Sequence, residues 1–88
     1  MLKRLRQMIR KEADPEKALL LQRFFKTGKG EYAEGDRFLG LTVPESRRIV
    51  RAFRDMSFSD TAALLESPFH EERFIALQLL VDQFTRGD

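Results

Sequence analysis

Between Pro68 and Thr85 apolar residues fall on almost every side of one long segment. Phe69, Phe74, Ile75, Ala76, Leu77, Leu79, Leu80, Val81 and Phe84 leave only Glu71, Gln78, Asp82 and Thr85 for a polar stripe. Their spacing is helical, and Pro68 suits a helix start. A helix that is apolar around most of its circumference needs neighbours on more than one side. The sequence reaches Asp88 three residues later. Either a second subunit covers this helix, or the 88 residues belong to a longer helical protein.

The rest of the chain reads as four further helices and no strand. Leu2, Leu5, Met8 and Ile9 recur at helical spacing, giving a first helix over Leu2–Glu12. Asp14 is a good N-cap and Pro15 a good first helical residue, so a second helix runs from Pro15 to about Thr27, with Gly28 as its stop. Its apolar side carries Leu20, Leu21, Phe24 and Phe25. A loop follows over Gly28–Asp36, because Gly28, Gly30 and Gly35 exclude an ordinary helix. Phe38, Leu39 and Leu41 then re-enter the core, and Gly40 permits a close approach. Thr42-Val43-Pro44-Glu45 has the pattern of a capping box, and a third helix runs from it to about Asp55 with Ile49, Val50 and Phe53 inward. Ser57 or Ser59 caps a short fourth helix. Helices with short connections fit a bundle or a helical solenoid.

Chemistry that needs cysteine is excluded, since the chain has none, and a reducing cytoplasm is the natural setting. No apolar run is long enough to span a bilayer. His70 is the sole histidine, and Phe74 stands where a zincin would need a second one, so neither metal nor cofactor is expected. His70 in a first helical turn reads as a surface or capping residue. The glycines of the loop lack the lysine and hydroxyl of a phosphate loop. Asp36 or Glu34 with His70 is the only pairing that resembles a small active site, and nothing marks those acids as a catalytic pair.

Charge is more informative. Residues 1–54 hold 14 Lys/Arg and 7 Asp/Glu, a net of +7, whereas residues 55–88 hold 2 and 7, a net of −5. Lys3, Arg4, Arg6, Arg10 and Lys11 form a run without an acid. Arg47, Arg48, Arg51 and Arg54 follow on the third helix, where spacings of three and four put Arg47, Arg51 and Arg54 on one face. Glu45 and Asp55 are too few to neutralise them, so these guanidinium groups suit phosphate oxygens. Phe24 and Phe25 are adjacent and must diverge on a helix. One lines a surface groove, or both are core between different neighbours.

Several segments taken together resemble the start of AlkD-like DNA alkylation repair proteins. They are Asp14-Pro15-Glu16-Lys17-Ala18, Gln22–Thr27, Gly35-Asp36-Arg37-Phe38-Leu39-Gly40-Leu41-Thr42-Val43-Pro44, Arg47–Phe53 and Ser67–Leu77. The resemblance implies an all-α solenoid of HEAT-like helix pairs whose basic concave face cradles double-stranded DNA. It makes residues 1–88 a single helical domain, the N-terminal part of a longer repeat protein. Active family members are glycosylases that release alkylated purines without a metal. By the same resemblance Phe24 falls at an aromatic position of the DNA-facing cleft, often tyrosine. Thr42, Val43 and Pro44 fall where the family approaches the DNA backbone, and Arg47 on a basic position beside them, with Arg48 and Arg51 on the same helix. The family's catalytic carboxylate and cleft tryptophans lie in repeats beyond these residues, so no catalytic residue is expected here. The competing expectation is a non-enzymatic adaptor that binds a protein, or itself, through the apolar last helix.

Overall fold

The computed structural model describes residues 1–25 and 35–86. Within them lie five helices: α1 (Leu2–Glu12), α2 (Pro15–Phe24), α3 (Val43–Ala52), α4 (Phe58–Leu65) and α5 (His70–Thr85). The described residues contain no strand, only a single isolated bridge between Arg37 and Phe69. The chain is all-α. The expected helix stop at Gly28, and Glu34 of the loop, lie outside the described residues.

Local chemistry sets the helix ends. The Asp14 carboxylate accepts from the N–H of Glu16 at 2.9 Å and, more weakly, of Lys17 at 3.4 Å, which caps α2 ahead of Pro15. Ser57, rather than Ser59, caps α4 by accepting from the Asp60 N–H at 3.1 Å. At the head of α5, Ser67 Oγ accepts from the Phe69 N–H, and the helix begins at His70, two residues later than the Pro68 start read from the sequence.

α5 packs along α4 and α3, and α1 crosses α3 and α4. Leu5, Ile9, Ile49, Leu64, Ile75 and Leu79 fill the space between them and are fully buried. α5 therefore meets its need for neighbours on two sides. Its third side, with Leu77, Val81 and Phe84, stays exposed, Phe84 by 84%. α2 lies against none of the other helices and has no buried residue. The apolar side of α2 read from the sequence does not form a buried face: Leu20 and Phe24, both on it, point to solvent. They are 64% and 74% exposed, because α2 is held at its start and its end, not along its length.

Those two attachments are made by residues 36–42. Asp14 N–H donates to the carbonyls of Leu39 and Gly40 at 3.1 and 3.2 Å. Gly40 takes a φ of +84° and presses against Asp14 and Ala18 at the start of α2. At the other end of α2, Phe25 stacks on buried Phe38 with ring centroids 5.2 Å apart, and Phe38 lies 4.8 Å from the His70 ring. Arg37 C=O accepts from the His70 N–H at 2.7 Å, which ties the same segment to α5.

Candidate nucleic-acid interface

α3 separates its two faces cleanly. Ser46, Ile49 and Val50 are buried, so Arg47, Arg48 and Arg51 lie outward. The helix ends at Ala52, with Phe53 as its C-cap, short of the Asp55 end expected from the sequence. Arg54 therefore lies beyond the helix that carries Arg47 and Arg51. It donates from Nε to Asp82 at 3.2 Å.

The arginines divide by partner. Arg48 lies 3.9 Å from Glu12 at the end of α1. Arg6 and Arg10 converge on Glu72, at 3.5 and 3.0 Å, and Glu72 is only 1% exposed. Arg10 also sits over the Phe69 ring, 4.9 Å from its centroid. Arg6, Arg10 and Arg54 are thus paired internally with acids from the second half of the chain, and Arg48 with Glu12 from the first. Neither Glu45 nor Asp55 is the quencher. Glu45 is occupied by the cap of α3, and Asp55 lies 3.7 Å from Arg86. Arg47 and Arg51, one turn apart, make no salt bridge among the described residues.

The turn that presents them is held by a reciprocal cap. Thr42 N–H and Oγ1–H donate to Glu45 Oε1 at 2.8 and 2.9 Å, and the Glu45 N–H donates back to Thr42 Oγ1 at 3.3 Å. Val43 and Pro44 project into solvent beside this box. The Thr42 N–H holds the Glu45 carboxyl below its ordinary value. Partial desolvation opposes that shift, while the Thr42 hydroxyl, Lys17 and Arg48 reinforce it. Because the folded value is depressed, this stabilisation is complete above the ordinary range near 4.5 and is lost as pH falls through the lower folded value. Glu45→Gln should therefore flatten the acid limb of a stability–pH curve. Thr42→Ala should lower the urea midpoint by the equivalent of about 1 kcal/mol at neutral pH.

α2 starts next to the 39–41 segment that leads into the cap of α3, because the Asp14 N–H donates to the Leu39 and Gly40 carbonyls. Lys17, Leu20 and Phe24 share one stripe of α2, being three and seven residues apart, and all are exposed. Phe24 therefore lies roughly 10 Å along α2 from Lys17. Its ring meets Phe25 edge-on at 5.0 Å. Phe25 is anchored in the Phe38–His70 stack and Phe24 is largely exposed, so the reading in which both are core is wrong.

Asp36 and His70 do meet, with His70 Nδ1 3.6 Å from Asp36 Oδ2, but the Arg73 guanidinium holds the other carboxylate oxygen. Asp36 is an anchor between the 36–42 segment and α5. Among the described residues no group of three or more His, Cys, Asp or Glu side chains is placed to hold a metal. Among the described residues no helix is long and apolar enough to cross a membrane.

A family model described as DNA alkylation repair enzyme matches residues 5–88. The chain belongs to that family. No curated protein and no solved structure matches the chain. Membership connects the chain with DNA alkylation repair and makes DNA the partner against which the exposed face of α3 is to be read. In this family member the seven residues marked from the sequence fall into two groups. Thr42, Val43, Pro44, Arg47, Arg48 and Arg51 share one helix and its cap. Phe24 stands apart on α2, whose start is tied to the segment before them through Asp14 and Gly40.

Proposed function

We propose that this chain is the DNA-binding N-terminal portion of a HEAT-like helical-repeat alkylation repair protein that works in the cytoplasm. It grips double-stranded DNA and is not catalytic by itself. Arg47 and Arg51 bind phosphate oxygens, Arg48 assists from its loose contact with Glu12, and the Thr42-Val43-Pro44 turn rests against the backbone. Lys17 and Phe24 extend the contact along α2. The observation that carries this reading is the pair Arg47 and Arg51: two exposed guanidinium groups one turn apart, with no acid partner among the described residues, on a helix whose head is fixed by a capping box. Guanidinium forks match phosphate geometry, and each contact that displaces a counterion steepens the salt dependence of binding.

The parent's chemistry follows from the resemblance: hydrolysis of the N-glycosidic bond of alkylated purines by a carboxylate and aromatic walls in later repeats. Titrating the chain against a fluorescent duplex is expected to show binding that weakens steeply with salt. Incubation with alkylated DNA is expected to release no base. Absence of duplex binding at low salt, or release of alkylated purine by the chain alone, would overturn the reading.

The exposed Leu77, Val81 and Phe84 favour a second, compatible reading, in which α5 is a protein-binding face. Light scattering that finds a strict monomer up to high concentration would count against self-association through it.

A further inference from the structure

Three consecutive backbone N–H groups converge on one buried side chain. Leu39 N–H donates to Glu71 Oε1 at 2.9 Å, and the N–H groups of Gly40 and Leu41 donate to Oε2 at 2.9 and 3.2 Å. Glu71 is 4% exposed and makes no salt bridge among the described residues. A buried carboxylate without a cation is costly unless hydrogen bonds replace its water. Here a nest of main-chain donors does so, helped by the position of Glu71 in the first turn of α5.

What the carboxylate holds matters more than how it is satisfied. Leu41 is followed directly by Thr42, the cap of α3. The carbonyls of Leu39 and Gly40, on the other side of the same short segment, receive the Asp14 N–H at the head of α2. The two elements of the proposed interface, α2 with Phe24 and α3 with Arg47 and Arg51, therefore meet at residues 39–41, and Glu71 is the side chain that fixes that junction. We propose that Glu71 is a positioning residue for DNA binding. It touches no DNA, but it sets the placement of the Thr42–Pro44 turn relative to α2, so that both elements reach one backbone together. This inference rests on the DNA-binding reading above.

The test is Glu71→Gln in the full chain, a change that keeps shape but turns an NH2 toward the donors. Hydrogen exchange and duplex titration are measured on the same sample. The expected result is unchanged helicity, faster amide exchange at Leu39–Leu41 and Thr42, duplex affinity lower by about tenfold, and a salt slope shallower by about one unit. Glu71→Ala should regain affinity when formate replaces chloride at constant ionic strength, because formate fits the vacated nest. Thr61→Ala, buried in α4 away from the junction, supplies a variant of lowered stability that should bind like wild type. If Glu71→Gln does not fold, the formate titration of Glu71→Ala decides. Wild-type affinity and slope in Glu71→Gln despite fast exchange at 39–41 would overturn the proposal alone. So would an affinity loss that Thr61→Ala reproduces, or that formate leaves unchanged. Failure of the wild-type chain to bind any duplex would overturn the DNA-binding reading, and the proposal with it.

Discussion

Gly40→Ala is expected to destabilise the fold by about 2–5 kcal/mol, the sum of a left-handed backbone and a forced displacement of neighbouring main chain. An added Cβ would lie 2.0 Å from the Asp14 carbonyl oxygen and 2.9 Å from both Asp14 C and Ala18 N. All three are backbone atoms of the α2 head, so no flexible side chain can move aside. The same junction holds the Asp14 N–H bonds and the three donors to Glu71, so the displacement spreads to both helices it joins. Gly35 supplies the control. It has the same φ of +84° but nothing within 4 Å of an added Cβ, so Gly35→Ala should cost only about 1–2 kcal/mol. For a chain of this size each kcal/mol moves the melting temperature by about 4–8 °C. The two variants should separate clearly in a thermal melt, and equal shifts would show that the close approach of Gly40 to Asp14 is not what matters.

Replacing Arg47 and Arg51 together should have the largest effect on DNA binding. A hydrogen bond to a charged group contributes about 1.5–3 kcal/mol. Removing two such bonds weakens binding on the order of a hundredfold or more at low salt. Arg6 and Arg10 give the comparison, since Glu72 already holds both. Changing them should reduce stability by uncovering a buried carboxylate, with a smaller change in DNA affinity. Folding itself should be little affected by Arg47→Ala and Arg51→Ala, because neither side chain has an ion-pair partner among the described residues.

The parts of this fold that could be read from sequence are those fixed by neighbours close along the chain. The caps at Asp14 and Thr42 and the α1 stripe of Leu5 and Ile9 depend on residues within a turn or two, and each appears as read. The inward return of Phe38 and Leu41 and the tight approach at Gly40 were also legible, because a glycine between large apolar residues after a loop has few other uses. The faces of α2 were not. Leu20, Leu21, Phe24 and Phe25 look like an apolar side, but α2 has no helix to lie on, and only its ends are gripped.

The electrostatics were hidden for a related reason. The partners of the arginines come from far along the chain: Glu72 is 62 residues from Arg10, and Asp82 is 28 from Arg54. A count of charges by segment finds a basic half and an acidic half. Folding brings them together and leaves Arg47 and Arg51, of the four arginines at 47–54, without an ion pair among the described residues. Glu71 was hidden too, since its partners are backbone N–H groups that carry no sequence signature.

The central claim is that those two guanidinium groups contact phosphates, and the salt dependence of duplex binding measures it most directly. The slope of log K against log salt should be shallower by about two units in Arg47→Ala/Arg51→Ala than in the wild-type chain, at about 0.9 for each phosphate no longer neutralised. An unchanged slope, with the variant folded and binding as wild type does, would contradict it.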